Sequence, residues 1–105
     1  MRIAVTATGR DPGSLMDARF GRAALFLVYD TETNAWDVLD NADNRDAAHG
    51  AGIVAAETVA RSGATVLLTG QCGPKAMDAL QRAGVRVVAG EEGTAEQAVQ
   101  RFLAA

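Results

Sequence analysis

The side chains of this sequence best suited to chemistry are one thiol, one imidazole and several arginines near glycine-rich turns. Cys72 is the only cysteine and His49 the only histidine among 105 residues. Cys72 lies in a turn at residues 70–74, between a buried apolar run and a predicted helix. A thiolate or a neutral imidazole can ligate a transition metal, and a thiolate can also act as a nucleophile. Metal binding, covalent catalysis and a structural role are therefore all open for these two residues.

The arginines make anion binding a further candidate function. Arg10 follows the first predicted strand, while Arg19 and Arg22 precede the second. The whole chain has a net charge of −3, which argues against a nucleic-acid-binding protein, since such proteins usually carry a basic stripe. A local excess of arginine in an acidic chain can still hold a small anion.

The length and composition indicate one soluble domain. A chain of 105 residues has the size of a single domain, so residues 1–105 are treated as one unit. One cysteine cannot form an internal disulfide, and there is no Cys/His cluster of the kind that closes a zinc site. The first residues do not form a signal peptide, and no segment approaches the roughly 20 apolar residues of a membrane helix. We expect a cytoplasmic protein that binds neither nucleic acid nor membranes.

Apolar runs and turn residues predict a mixed α/β fold. Five strands are expected at residues 2–7, 24–29, 36–40, 65–69 and 85–89. Three helices are expected at about residues 49–61, 74–83 and from a Thr-x-x-Gln capping box at residue 94 onward. The order βββαβαβα predicts a mixed five-stranded sheet with helices on its faces, in which the second and third strands form a hairpin.

Ligands of open α/β sheets bind beyond the carboxyl ends of the parallel strands. Three segments are expected to meet there, namely residues 8–10, 49–52 and 70–74. Two of them begin helices, where unpaired N–H groups and the positive end of the helix dipole favour an anion. The same helix terminus should lower the pKa of the Cys72 thiol. The sequence therefore predicts an anion pocket at this edge of the sheet.

The order and spacing of several short motifs resemble one known family. The motifs are Arg19-Phe20-Gly21-Arg22-Ala23 with Asp30, then His49-Gly50-Ala51-Gly52, then Gly70-Gln71-Cys72-Gly73-Pro74-Lys75-Ala76 with Leu80 and Gly84. Along essentially its whole length, the chain resembles the dinitrogenase iron–molybdenum cofactor biosynthesis family. The resemblance implies a ribonuclease-H-like three-layer fold with helices on both faces of the sheet. It also implies a protein that is not an enzyme and that binds, stores or delivers an anionic metal–sulfur cluster.

The resemblance further implies what the cargo and the site would be. The cargo would be a molybdenum–copper sulfide cluster, an iron–molybdenum cofactor precursor or a related molybdenum/iron–sulfur cluster, passed to a recipient or assembly protein. N–H donors and arginine would neutralise its charge, and apolar walls around Phe20 and Met16 would exclude water. The position of Cys72 is often aliphatic in this family, so the thiol is either a direct ligand or a substitution. The candidate cofactor-binding residues are Thr8, Gly9, Arg10, Phe20, Arg22, Gly50, Gln71 and Gly73, and the candidate metal ligands are His49 and Cys72.

Two other classes of function stay open on the sequence. A cysteine-dependent small-molecule enzyme would need a base, such as His49, to activate Cys72. A metal-free partner-binding or regulatory module would need neither residue. A magnesium-dependent nuclease is excluded because the first and fourth predicted strands carry no carboxylate to hold the metal ions.

Overall fold

The fold is built on one sheet, seen in a computed structural model that describes residues 1–41 and 50–105. Its strands are β1 (Arg2–Ala7), β2 (Leu25–Asp30), β3 (Trp36–Asp40), β4 (Val66–Leu68) and β5 (Arg86–Val88). They lie in the order β3-β2-β1-β4-β5, with β2 antiparallel to both of its neighbours and β1, β4 and β5 mutually parallel. The predicted mixed five-stranded sheet and the β2–β3 hairpin are confirmed.

Helices cover both faces of this sheet. The helices in the described residues are α1 (Ala51–Arg61), α2 (Pro74–Arg82) and α3 (Ala95–Ala104). On one face, small residues of α1 and Leu80 of α2 pack with Phe26 of β2 in one apolar cluster. On the other face, Ala98 and Val99 of α3 pack against Val5 of β1. Two helices therefore share one face and α3 has the other, while the ribonuclease-H-like label stays a prediction.

The observed elements depart from the predicted ones mainly at their ends. Both β4 and β5 are shorter than expected by one residue at each end. The apolar spacing of α2 predicts Met77, Leu80 and either Ala83 or Ala76 on its inward face; Leu80 and Ala76 are buried, whereas Ala83 is the exposed C-cap. In α3, the buried stripe runs through Ala95, Ala98 and Val99, and Leu103 lies beyond that stripe and is 49% exposed.

The carboxyl end of the sheet gathers the starts of the described helices. Strands β1, β3, β4 and β5 all end at this edge, because β2 alone runs in the opposite direction. The turn after β4 leads into α2, and the turn after β5 leads into α3. The helix N-termini consequently lie at the edge where the sequence predicts the site.

Candidate functional site

The loop between β1 and β2 carries the Phe-Gly-Arg motif to this edge. Thr6, at the end of β1, is fully buried and donates its hydroxyl to the Asp17 carbonyl at 2.8 Å. The Asp17 carboxylate in turn accepts a hydrogen bond from the Arg19 N–H at 3.1 Å. The start of the loop is thus fixed to the core of the sheet before the motif begins.

The same loop is hydrogen bonded to the turn that follows β4. The Gln71 N–H donates to the Ala18 carbonyl at 2.7 Å, and the Phe20 N–H donates to the Gln71 carbonyl at 3.0 Å. A Cβ atom on Gly70 would lie 2.6 Å from the Ala18 carbonyl oxygen, so only glycine fits there. The loop that carries Arg19 and Arg22 and the turn at residues 70–74 therefore lie against each other.

Phe20 anchors this loop from beneath. Its ring is 1% exposed and packs against Phe26, with the ring centroids 5.4 Å apart. The expectation that Phe20 forms a wall facing a ligand is therefore corrected, because the ring belongs to the core. Because the Phe20 ring is buried, the next residue, Gly21, lies directly against α1.

A cavity of about 430 Å³ opens between the N-termini of α1 and α2. Its lining residues are Gly21, Gly50, Gly52, Ile53, Gly73, Pro74, Lys75 and Ala76. Glycines let the three walls of the cavity, which are the loop, α1 and α2, approach one another. A Cβ on Gly21 of the loop would lie 2.9 Å from the Gly52 Cα of α1, and a Cβ on Gly52 would lie 3.1 Å from the Ala76 Cβ of α2. The walls of this cavity are therefore largely backbone, which a ligand can approach closely.

The electrostatic character of the cavity comes from helix ends and one ammonium group. Within the described chain, the N-caps of α1 and α2, Gly50 and Gly73, provide no side-chain hydrogen bond. A helix N-terminus carries about half a positive elementary charge, concentrated on the N–H groups of its first turn. Lys75, the only lysine of the sequence, lines the cavity between them. The cavity is positively biased and suited to an anion.

Cys72 lies beside the cavity without lining it. Its side chain is half-buried and packs against the apolar cluster shared by α1 and α2. Burial raises the pKa of the Cys72 thiol, because desolvation disfavours the thiolate. The predicted lowering by the helix terminus is therefore wrong, since desolvation outweighs the dipole here.

The remaining predicted residues fall into distinct places. Gly50 and Gly73 line the cavity, whereas the main chain of Gln71 joins the loop to the turn. Arg22 is half-buried next to Gly21 and is not among the lining residues. His49 lies outside the described residues, so its predicted role as a metal ligand stays a prediction. Among residues 1–41 and 50–105, no three His, Cys, Asp or Glu side chains are grouped to hold a metal ion.

The segment after β1 does not reach the cavity. The Thr8 hydroxyl donates to the Leu15 carbonyl at 2.8 Å, which closes residues 8–15 into a loop of their own. Arg10 forms an exposed ion pair with Asp40 at 3.0 Å. Farther along, this loop pairs with the N-terminus of α3, at Ser14 and Pro12. The expected contribution of Thr8, Gly9 and Arg10 to the same pocket is corrected, because their loop turns toward the α3 face.

Sequence reasoning missed two polar residues of the site, Lys75 and Asn41, and did not include the lining residues Gly21, Gly52, Ile53, Pro74 and Ala76 among the candidate residues. Lys75 could have been found as the only lysine, two residues after the N-cap of a helix that begins Gly-Pro. Asn41 follows β3, is 4% exposed, and donates its amide N–H groups to the Gly21 and Ala23 carbonyls at 3.2 and 2.9 Å. A single asparagine after a strand is indistinguishable from an ordinary loop residue in the sequence.

Together, these features define an α/β protein with a positively biased, backbone-lined cavity at the carboxyl edge of its sheet. The family profile described as dinitrogenase iron–molybdenum cofactor matches residues 1–105, and the chain belongs to this family. Family membership connects the chain with a metal-cluster-related role. The resemblance stated from the motifs is thus confirmed.

Solved structures support the same assignment. The apo form of the orange protein from Desulfovibrio gigas is 55% identical, with a TM-score of 0.95 over 98% of this chain and 87% of that chain. A putative NifB protein from Thermotoga is 33% identical, with a TM-score of 0.86 over 98% of this chain and 87% of that chain. No curated protein sequence matches the chain. In the described part of the chain, no helix combines the length and the apolar character needed to cross a membrane.

Proposed function

We propose that this protein binds an anionic molybdenum-containing metal–sulfur cluster as cargo, in the cavity between α1 and α2, and stores or delivers it without catalysing a reaction. The observation that carries the proposal is the start of α2, where the N-cap Gly73 provides no side-chain hydrogen bond, at a glycine-lined cavity that contains the only lysine of the sequence. The nature of the cargo is inferred from the family to which the chain belongs. The candidates are a molybdenum–copper sulfide cluster and an iron–molybdenum cofactor precursor.

The cavity supports such a cargo by its size and its donors. Its volume of about 430 Å³ falls within the range of roughly 300–1,000 Å³ that is typical of ligand pockets. First-turn N–H groups of α2 and the Lys75 ammonium can donate to sulfide or oxo groups on the surface of a cluster. Ile53 and Pro74 add apolar contact. Binding through hydrogen bonds and charge, with few metal–protein bonds, suits a carrier that must release its cargo.

The proposal covers residues 1–105 as a single cluster-binding domain of ribonuclease-H-like fold in the cytoplasm. His49 and Cys72 are candidate direct ligands in addition to the cavity donors. A recipient or assembly protein would be the partner at delivery. None of these points is needed for the cavity to bind an anion.

A cysteine-dependent enzyme is the less supported function. Burial raises the pKa of Cys72, so little thiolate is present at neutral pH. The thiol also packs against the apolar cluster and is not among the residues that line the cavity. A nucleophilic cysteine would need a lowered pKa and a thiol that reaches the cavity.

The proposal is tested by anaerobic reconstitution with tetrathiomolybdate and Cu(I), followed by desalting and metal analysis. The wild-type protein should retain molybdenum and show charge-transfer absorption. Lys75→Glu should weaken retention by about tenfold or more, equivalent to about 1.4 kcal/mol, because it reverses the charge inside the cavity. Arg82→Glu is the matched control, since Arg82 is at the other end of α2 and 81% exposed, and it should bind like the wild type.

Three outcomes are distinguishable. A wild-type protein that stays colourless and free of molybdenum would contradict cluster binding and favour the metal-free interaction module. Equal weakening in both variants would show that only the overall charge matters and would contradict the cavity as the site. Unchanged retention in Lys75→Glu would place the cargo elsewhere.

A further inference from the structure

One buried amide controls how the loop presents its backbone to the cavity. Asn41 is 4% exposed and lies directly after β3. Its side-chain N–H groups reach two carbonyl oxygens of the loop, that of Gly21 at 3.2 Å and that of Ala23 at 2.9 Å. Its own backbone N–H donates to the Ala24 carbonyl at 3.1 Å. Asn41 is thus hydrogen bonded to three backbone carbonyl groups, those of residues 21, 23 and 24, in the segment that leads into β2.

The position of Gly21 makes this contact relevant to binding. Gly21 lines the cavity, and it touches Gly52 so closely that a Cβ on it would lie 2.9 Å from the Gly52 N and Cα atoms. A carbonyl group is a dipole whose oxygen repels an anion. Because the Gly21 oxygen accepts from a buried amide, it points into the protein and not toward a ligand in the cavity.

We infer that Asn41 is a positioning residue for anion binding: its amide keeps the Gly21 carbonyl oxygen out of the cavity and, by also binding the Ala23 carbonyl, holds the loop with Gly21 against α1. This inference rests on the proposed anionic cargo. Without the amide donors, the buried Ala23 carbonyl and the partly buried Gly21 carbonyl would lose this partner, and rotation of the Gly21 peptide would bring its oxygen toward the cavity. That change lowers the positive bias of the site.

The test compares Asn41→Leu with Val59→Ala. Leucine has a similar size to asparagine and adds no charge, but it has no donor. Val59 is fully buried on α1 and does not line the cavity, so its truncation lowers stability without removing a hydrogen-bond donor to the loop. Binding of tetrathiomolybdate is measured at a temperature at which all variants are folded by circular dichroism. Amide hydrogen exchange of Ala23 is measured in the ligand-free proteins and expressed relative to that of Val5 in the core.

The expected results distinguish a change in the position of the loop from a loss of stability of the whole protein. Asn41→Leu should raise the tetrathiomolybdate dissociation constant by about tenfold and the Ala23-to-Val5 exchange ratio by a similar factor. Val59→Ala should keep the dissociation constant within about twofold and should not raise the ratio, because global destabilisation speeds exchange of the core amide Val5 at least as much as that of Ala23. Asn41→Ser, which keeps one donor, should give an intermediate value and replaces the leucine variant if that variant does not fold. Wild-type affinity in Asn41→Leu, or an equal loss in Val59→Ala, would overturn the inference.

Failure of the proposed function gives a different pattern. If the wild-type protein does not bind tetrathiomolybdate, the anionic cargo is wrong, and the exchange ratio alone decides whether Asn41 positions the loop. A raised ratio in Asn41→Leu then supports the positioning of Gly21. An unchanged ratio contradicts it.

Discussion

Two kinds of helix N-terminus meet the same edge of this sheet. At α3, the Thr94 hydroxyl accepts from the Gln97 N–H and the Gln97 side chain accepts from the Thr94 N–H, both at 3.1 Å. The N–H groups of Ala95 and Glu96 donate to carbonyls of the 8–15 loop at 3.0 and 2.9 Å. Every first-turn donor of α3 is therefore satisfied within the chain. At α2, by contrast, a Gly-Pro start provides no side-chain cap within the described residues.

The difference supports α2 as the helix end that binds the cargo in the proposed function. Both helices start after parallel strands of one sheet, so topology alone does not distinguish them. Glycine in place of Asp or Ser at an N-cap forgoes roughly a few tenths of a kcal/mol. In the proposed function, the first-turn donors of α2 bind an external group, whereas those of α3 are used within the chain for stability. Departures of this kind from the most stable local choice are expected at functional sites.

The largest effect should come from giving α2 the cap that it lacks. Gly73 has a φ of −65°, and a Cβ on it would have no atom of residues 1–41 or 50–105 within 4 Å, so Gly73→Asp is sterically allowed there. Its carboxylate would accept from the first-turn N–H groups and place a negative charge in the cavity. We expect the variant to be more stable by about 0.5–1 kcal/mol and to bind tetrathiomolybdate at least about thirtyfold more weakly.

Urea denaturation and a binding titration measure the two effects of Gly73→Asp. Gly73→Ala is the matched control, because it adds the Cβ without an acceptor. That control should keep its affinity within about threefold, which is about 0.7 kcal/mol. A more stable aspartate variant with full affinity would show that the helix end does not bind the anion.

The opposite change at α3 should affect stability alone. Thr94→Ala removes the hydroxyl that accepts from Gln97 and should destabilise the protein by about 1 kcal/mol. Tetrathiomolybdate affinity should stay within about twofold of the wild type, because the α3 terminus lies on the other face of the sheet and is not part of the cavity. Urea denaturation with the same titration tests both statements. A large loss of affinity would mean that the two helix ends are coupled, and the contrast between them would fail.

Much of the fold and part of the site could be predicted from the sequence. Apolar runs placed β1 and β3 correctly, and the Thr-x-x-Gln pattern located the cap of α3, because these signals depend on neighbours in the chain. The Gly50 and Gly73 positions followed from the rule that ligands bind at helix starts. Burial of Phe20 and the turn of the 8–15 loop toward α3 could not be predicted, because they depend on tertiary contacts.

The smallest expected effect on binding is that of changing Cys72. This residue lies directly before the N-cap of α2, so the pKa of its thiol shows whether the dipole of α2 acts beyond the cavity. If the dipole dominated, the pKa of the thiol would be lowered, but burial raises it. Alkylation by iodoacetamide should therefore be slower than that of an exposed cysteine at pH 8, and its rate should still rise at pH values above the ordinary thiol pKa. Cys72→Ala should keep its tetrathiomolybdate affinity within about threefold, because the thiol lies outside the cavity.

The same shift fixes the sign of a pH effect on stability. The folded protein holds the Cys72 proton more tightly than the unfolded chain does. The free energy of unfolding is therefore highest at pH values below the pKa of the thiol in the unfolded chain, and it decreases as the pH rises through the pKa of the thiol in the folded protein. Urea denaturation of the wild type and Cys72→Ala across this alkaline range should show a decline that is smaller in the variant. An alkylation rate that levels off near neutral pH would instead reveal a thiolate stabilised by the α2 terminus. The donors of α2 would then act on the thiol as well as on the cavity, and Cys72 would regain its place as a candidate nucleophile or ligand.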